Sequence, residues 1–320
     1  MNILVTGGCG FIGSHFIETI LDYKDVECII NVDCMTYAAN KTLPFSTHEK
    51  YHHFDLDISR DTILPLLKSF KIDYVIHFAA ESHVDNSITN SDSFIQTNVV
   101  GTHNILKDLL QYTSLKKFIH VSTDEVFGSL GFKDDPFTVN SPYRPNSPYA
   151  ASKASSDLLV RSYVNTYKLP AIITNCSNNF GPRQFTEKMI PLCINKLMTR
   201  QPIPLYGDGS NVRDWIYVKD HVNALIEIML HGIVGKQYLI GGECELTNLD
   251  LITMLKVSYE HLIGCEDDCS DDGEWFKRVS DRKGHDLRYA IDTTEFREEF
   301  PDFKLSPFPT SIYDTIRSYL

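Results

Sequence analysis

The chain has 320 residues, of which 42% are hydrophobic and 22% charged. That is the balance of a compact globular protein of one large domain or two intimate ones, and it excludes a disordered, fibrous or low-complexity chain. Lys and Arg number 30 against 42 Asp and Glu, a formal charge of −12, so neither nucleic acid nor an anionic membrane, which both call for basic patches, is an expected partner.

No run approaches the roughly 18 apolar residues of a membrane span. Residues 1–8 lead directly into a strand and a turn, unlike a secretory leader with its basic start and longer apolar stretch. The eight cysteines stand at positions 9, 28, 34, 176, 193, 244, 265 and 269 without a C-x-x-C pair. No metal site is expected from them. They read as small core residues of a protein in a reducing, cytoplasmic setting. Residues 265–272 read as a solvated acidic loop, with metal binding as the alternative.

In chain order, residues 3–6 form a buried strand, followed by Gly7-Gly8-Cys9-Gly10-Phe11-Ile12-Gly13 and a helix over 11–21. Gly7 permits a sharp turn, Gly10 keeps side chains away from the helix N-terminus, and Gly13 permits close helix–sheet contact. A second strand over 27–33 ends on Asp33, twenty residues beyond Gly13. A carboxylate there accepts hydrogen bonds from a ribose and repels a 2′-phosphate, so the pattern points to NAD rather than NADP. A turn-forming role for Asp33 is the alternative.

Asp57 and Ile58 follow a third strand, and a helix is expected over 61–70. The strand over 74–78 runs into Ala79-Ala80-Glu81-Ser82-His83, whose small alanines suit either a flat ligand lying close or simple tight packing. A helix over 93–112 and a strand over 117–122 follow, ending in Thr123-Asp124-Glu125. A hydroxyl beside two carboxyls at the mouth of a sheet suggests an extra acid and base. Taken alone, the triplet fits a helix cap or Asx turn at least as well. Within the helix over 149–167, the i, i+4 pair Tyr149 and Lys153 faces one way, and a lysine beside a phenol lowers its pKa from ~10. An exposed helical face is the alternative for such a pair.

After a strand over 171–176, proline and glycine thicken and the alternation loosens, apart from a helix over 248–262. The expectation is an α/β protein with a doubly wound, Rossmann-type parallel sheet in residues 1–178. A smaller, loop-rich unit occupies 179–320, and residues 212–235 return to the first unit.

With these stretches laid out, the chain resembles the extended short-chain dehydrogenases/reductases, and within them the nucleoside-diphosphate-glucose 4,6-dehydratases. The glycine turn and Tyr149-x-x-x-Lys153 mark the superfamily. Ser122-Thr123-Asp124-Glu125-Val126-Phe127-Gly128, Asn175-Cys176-Ser177-Asn178-Asn179-Phe180-Gly181-Pro182 and Asn211-Val212-Arg213-Asp214-Trp215 mark the dehydratases.

The resemblance implies NAD held by Gly7, Gly10, Phe11, Ile12, Gly13, Asp33 and Thr36. It adds Asp57, Ile58, Ala79, Ala80, Ser82, Thr97 and Asn179, with Tyr149 and Lys153. It implies a nucleotide sugar, dTDP-glucose or UDP-glucose, near Ser82, Thr123, Asn178, Lys188, Arg213, Asn248 and Arg288, with Tyr206 stacked on the base. Tyr149 with Lys153 would take the 4-hydroxyl proton, Glu125 the C5 proton, and Asp124 would protonate the departing 6-hydroxyl. The product would be a 4-keto-6-deoxy sugar, a step towards deoxysugars such as rhamnose. A homodimer through the helices over 93–112 and 149–167 is also implied. A 4-epimerase, which lacks the acid pair, and a non-catalytic nucleotide-binding protein are the competing readings. Phe127, Phe180, Arg183, Lys283 and a chain ending at Leu320 depart from the usual pattern of these relatives.

Overall fold

Strands buried on both faces need aliphatic side chains pointing each way, and the short Val- and Ile-rich runs supply them. The computed structural model describes residues 1–264 and 275–320, and the acidic 265–272 stretch lies outside the described residues. Its strands are β1 (Asn2–Thr6), β2 (Cys28–Asp33), β3 (Tyr51–Asp55), β4 (Tyr74–His77), β5 (Lys117–Thr123) and β6 (Ala171–Cys176). Later in the chain come β7 (Asn178–Phe180), β8 (Ile203–Tyr206), β9 (Val212–Tyr217), β10 (Gln237–Ile240), β11 (Glu245–Thr247) and β12 (Phe276–Val279).

Seven strands form one sheet in the order β10-β6-β5-β4-β1-β2-β3. Every pair is parallel. The α/β doubly wound fold is therefore present. All carboxyl ends meet at one edge, and the strand order reverses beside β1, where open parallel sheets bind ligands.

The helices are α1 (Phe11–Leu21), α2 (Leu64–Ser69), α3 (Val84–Thr89), α4 (Asp92–Phe94), α5 (Thr102–Leu110) and α6 (Pro148–Tyr167). They continue with α7 (Met189–Met198), α8 (Val218–His231), α9 (Asn248–Leu262), α10 (Thr294–Glu299) and α11 (Phe308–Arg317). Alternate residues of each strand feed opposite layers. Ile3 and Val5 of β1 meet Phe16, Ile17 and Ile20 of α1 with Leu225 and Met229 of α8. Leu4 between them joins Ile105 and Leu109 of α5 and Val160 of α6 on the other face. The N-terminus of α2 is capped from outside: Asp108 of α5 accepts from the Ile63 and Leu64 amides at 2.7 and 3.3 Å.

Two expectations need adjustment, and one strand is added. The helix over 93–112 is not continuous, because a π-helical stretch, Ile95–Gly101, lies between α4 and α5. Residues 212–235 divide: β9 pairs with β7 and β11 in a separate three-stranded sheet, and only α8 crosses to pack on α1. The seventh strand, β10, lies just beyond that span. Four residues long, it carries no periodicity of its own and is defined by its pairing with β6.

The smaller core is built on β7, β8 and β9 with α7, α9 and α11, around Phe180, Ile194, Trp215, Leu251, Leu255 and Ile316. Phe16 is completely buried between α1 and the sheet. Phe16→Ala should therefore cost ~3–5 kcal/mol of stability, measured by urea unfolding, because little around it can collapse.

Candidate active site

The first turn of the sheet is built for a close approach. Gly7 has φ +75°, and a Cβ there would sit 2.6 Å from the Ala79 amide nitrogen; one on Gly13 would sit 2.4 Å from the Gly7 carbonyl. Helix α1 starts at Gly10 with neither a side-chain cap nor an acid in its first turn. The amide end of its dipole thus faces the cleft, an arrangement that suits a phosphate. Asp33 braces the turn: its carboxylate accepts from the Cys9 amide and from the Met35 amide, each at 2.9 Å. Asn31 does the same for Gly8 at 2.9 Å. These features fit a dinucleotide.

One cleft runs from this turn across the carboxyl ends of the strands. Gly7, Gly10, Phe11, Ile12, Gly13, Asp33 and Thr36 line one end, and Asp57, Ile58, Ala79, Ala80, Ser82 and Thr97 continue the wall. Thr123, Asp124, Glu125, Tyr149, Lys153, Asn178, Asn179 and Lys188 line the rest.

Thr123 both caps and lines. Its Oγ1 accepts from the Glu125 amide at 3.3 Å at the head of a 3₁₀ turn, Asp124–Phe127. Capping and exposure to the cleft are thus one geometry, because the cap holds both acids at the strand's end. Helix α6 begins at Ser147, whose hydroxyl accepts from the Ala150 amide at 3.1 Å, with Pro148 in its first turn. One turn on, Lys153 Nζ donates to the Val121 carbonyl of β5 at 2.9 Å.

Burial dominates the electrostatics. Asp124 is held well above the usual carboxyl range by burial, then by Glu125 and Asp214, with Arg213 and the Thr123 hydroxyl opposing. Burial also raises Glu125, against the pull of Arg213 and Lys188. The Tyr149 phenol is pushed well up by burial, then by Glu125 and Cys176. The lysine-driven lowering expected from Tyr149-x-x-x-Lys153 is absent here. Lys153 is itself buried, its ammonium is pushed down by desolvation, and its hydrogen bond goes to the backbone.

The remaining substrate-side candidates do not line this cleft. Arg213 lies 4.2 Å above the Tyr289 ring and donates to the Asp286 carbonyl at 2.9 Å; its charge still reaches both acids. Arg288 is engaged by Glu245 at 2.6 and 2.9 Å. Tyr206 carries Arg282 5.5 Å over its ring. Asn248 is buried at the start of α9. Three of the departing residues have local partners. Phe127 stacks on Phe137, Phe180 packs on Phe308, and Arg183 pairs with Glu18 of α1 at 2.5 Å.

The family described as GDP-mannose 4,6 dehydratase matches residues 4–301. The chain belongs to this family. It is 42% identical to the dTDP-glucose 4,6-dehydratase of Escherichia coli across 100% of this chain and 94% of that protein. Against the same-named protein of Neisseria meningitidis serogroup B it is 42% identical, across 99% and 93%. The crystal structure of a dTDP-glucose 4,6-dehydratase from Streptomyces venezuelae, with NAD bound, superposes with a TM-score of 0.91 at 40% identity, covering 100% and 97% of the two chains. The UDP-N-acetylglucosamine 4-epimerase of Methanobrevibacter ruminantium M1 superposes with a TM-score of 0.87 at 26% identity, covering 99% and 97%.

Glu81, Cys176, Gln184, Phe185 and Glu187 also line the dehydratase-family cleft and were not singled out as site residues. Glu81 and Cys176 stand inside quoted motifs at strand ends, which is a usable signal. Phe185 and Glu187 belong to a loop after β7 that reaches the cleft only through tertiary packing, where Tyr37 donates to Glu187 at 3.1 Å.

A carboxyl whose folded pKa is raised contributes stability below its unfolded pKa of ~3.9 and loses it as pH rises through the folded value. Asp124→Asn should therefore raise the thermal midpoint at pH 7–8, with the gain vanishing near pH 4. Thermal unfolding at both pH values checks it.

Proposed function

We propose that this protein is a hydro-lyase that converts dTDP-glucose to its 4-keto-6-deoxy derivative with NAD as cofactor. The observation that carries the reading is the cleft where the cofactor turn, the Tyr149–Lys153 pair and the Thr123-Asp124-Glu125 triplet meet. Identity to dTDP-glucose 4,6-dehydratases over nearly the whole chain favours thymidine over uridine and dehydration over epimerisation. A unit reaching to about residue 178, rejoined by α8 and β10, supplies most of the cleft lining; the remainder, which adds Asn179 and Lys188 to it, forms the nucleotide-sugar unit.

Bound NAD⁺ supplies a hydride sink and, within the same turnover, a hydride source. The chain's residues handle the protons. The α1 amides and Asp33 hold the dinucleotide, while Ala79 and Ala80 leave room for it beside the backbone. Tyr149 removes the sugar 4-hydroxyl proton, its burial-raised phenol drawn towards ionisation by positive charge at the site. Thr123 hydrogen-bonds the C4 oxygen. Glu125, moderated by Arg213 and Lys188, takes the C5 proton once C4 is a ketone. Asp124, whose proton affinity burial raises, gives its proton to the departing 6-hydroxyl. Two neighbouring carboxyls with different surroundings thus divide acid from base. Asn178, Lys188 and Ser82 hold the nucleotide sugar from the cleft wall, and Arg213 acts through its charge, while Arg288, Tyr206 and Asn248 stand outside the lining.

We also propose a cytoplasmic homodimer. Ile95, Leu158 and Tyr167 stand exposed on the 92–110 and α6 helices, apolar side chains that a second copy would cover. Among the described residues no helix is long and apolar enough to cross a membrane.

Incubation with dTDP-glucose should give a product lighter by one water, and UDP-glucose a slower conversion. Loss of water from neither would sink the reading. Asp124→Asn with Glu125→Gln should stop elimination by ~10²–10⁴-fold while C4 oxidation continues, so reduced cofactor accumulates on substrate addition. Tyr149→Phe should instead slow the appearance of reduced cofactor itself.

A further inference from the structure

Behind the reacting residues lies a second polar layer. Helix α6 points Tyr149, Lys153 and Asp157 along one face at four-residue intervals. Asp157 is 1% exposed, and a carboxylate that deep is tolerated only when paired and hydrogen-bonded. The Tyr143 hydroxyl and the Asn175 amide donate to its Oδ2 at 3.0 and 3.1 Å. His120 Nε2 lies 3.1 Å from Oδ1, off the line of a hydrogen bond. The same Asn175 Nδ2 donates to the Thr123 carbonyl at 2.9 Å. Gln237 of β10 joins Tyr143 at 3.0 Å and Asn175 at 2.7 Å. One carboxylate therefore ties α6 to β5, β6 and β10 directly under the site, while lying outside the cleft lining.

The charged and titratable groups around Lys153 are few. Its own helix presents Asp157, and Tyr149 one turn before it; β5 presents His120, β4 His77, and β6 Cys176. Burial holds both histidines in the neutral form and pushes the Cys176 thiol up to about 12. Glu125 and Asp124 act on Tyr149 from the cleft side. Asp157 is the carboxylate among the groups that bear on Lys153 itself.

Resting on the dehydratase reading, we propose that Asp157 is a positioning residue for the reaction. It is the buried counter-charge that keeps Lys153 an ammonium, and through Asn175 it sets the strand end that carries Thr123, Asp124 and Glu125.

Asp157→Asn removes one negative charge with little change of shape, which lowers the proton affinity of every neighbour. Both limbs of the kcat/KM–pH profile should shift to lower pH by about half a unit or more, and kcat should fall ~10-fold with KM little changed. A uniform loss with unmoved limbs would show a merely structural role and overturn the proposal. Asn175→Ala, which keeps the charge, should lower kcat without moving either limb; an unchanged kcat would overturn the strand-end tether.

A readout independent of turnover comes from unfolding. With Asp157 gone, Lys153 titrates lower in the folded state, so its penalty is relieved earlier as pH rises. The deficit in thermal midpoint of Asp157→Asn against wild type should shrink as pH rises from 7 towards the ordinary lysine range of ~10.4. A constant deficit would overturn the counter-charge. If the wild type dehydrates no nucleotide sugar, the functional reading falls, and the unfolding series still decides whether Asp157 and Lys153 are coupled.

Discussion

The site depends on polar groups held out of water at the carboxyl edge of the sheet, where α6 is pressed onto β5 and β6. The bond from Lys153 Nζ to the Val121 carbonyl brings the helix that carries Tyr149 against the strand that carries Thr123 and both acids. Once that contact excludes water, each ionisable group is governed by desolvation first and by its neighbours second. Asp124 and Tyr149 give up their protons less readily, and Lys153 holds its charge less readily, than in solution. Such a floor is costly for folding and useful for chemistry, because charge that develops there is felt strongly.

The cost is offset by ordinary packing elsewhere. The sheet buries aliphatic residues on both faces, with α1 and α8 on one side and α5 and α6 on the other. The smaller core around Trp215 and Ile194 holds β7 and β9 beside the open end of the cleft. From there Arg213 sends positive charge towards both acids without lining the cavity. An arginine stacked on Tyr289 and satisfied by backbone carbonyls is a stationary source of potential, unlike Arg288, whose partner Glu245 stands partly in solvent.

Much of this was legible in the residues. The glycine turn, Asp33, the Ala79-Ala80 pair and the Thr123-Asp124-Glu125 triplet lie next to strand ends in the chain, where local pattern and position coincide. The two readings of Thr123-Asp124-Glu125 proved compatible, since the cap is what aims the acids. Less legible were β10, the π-helical Ile95–Gly101 stretch and the division of residues 212–235. Each is decided by a partner distant in sequence: β6 for β10, β7 and β11 for β9, and α1 for α8.

By itself, the sequence determined the parallel α/β architecture, the place of the cofactor turn and the residue types that meet around it, because strand periodicity and glycine geometry are local properties. Proton affinities were for the tertiary structure alone to decide. Spacing on a helix says that Tyr149 and Lys153 share a face, but how much water reaches them, and which of Val121, Asp157 and Glu125 stands nearby, follows from long-range packing. Desolvation is a property of the whole fold, and here it reversed the sign that the two residues taken as a pair would suggest.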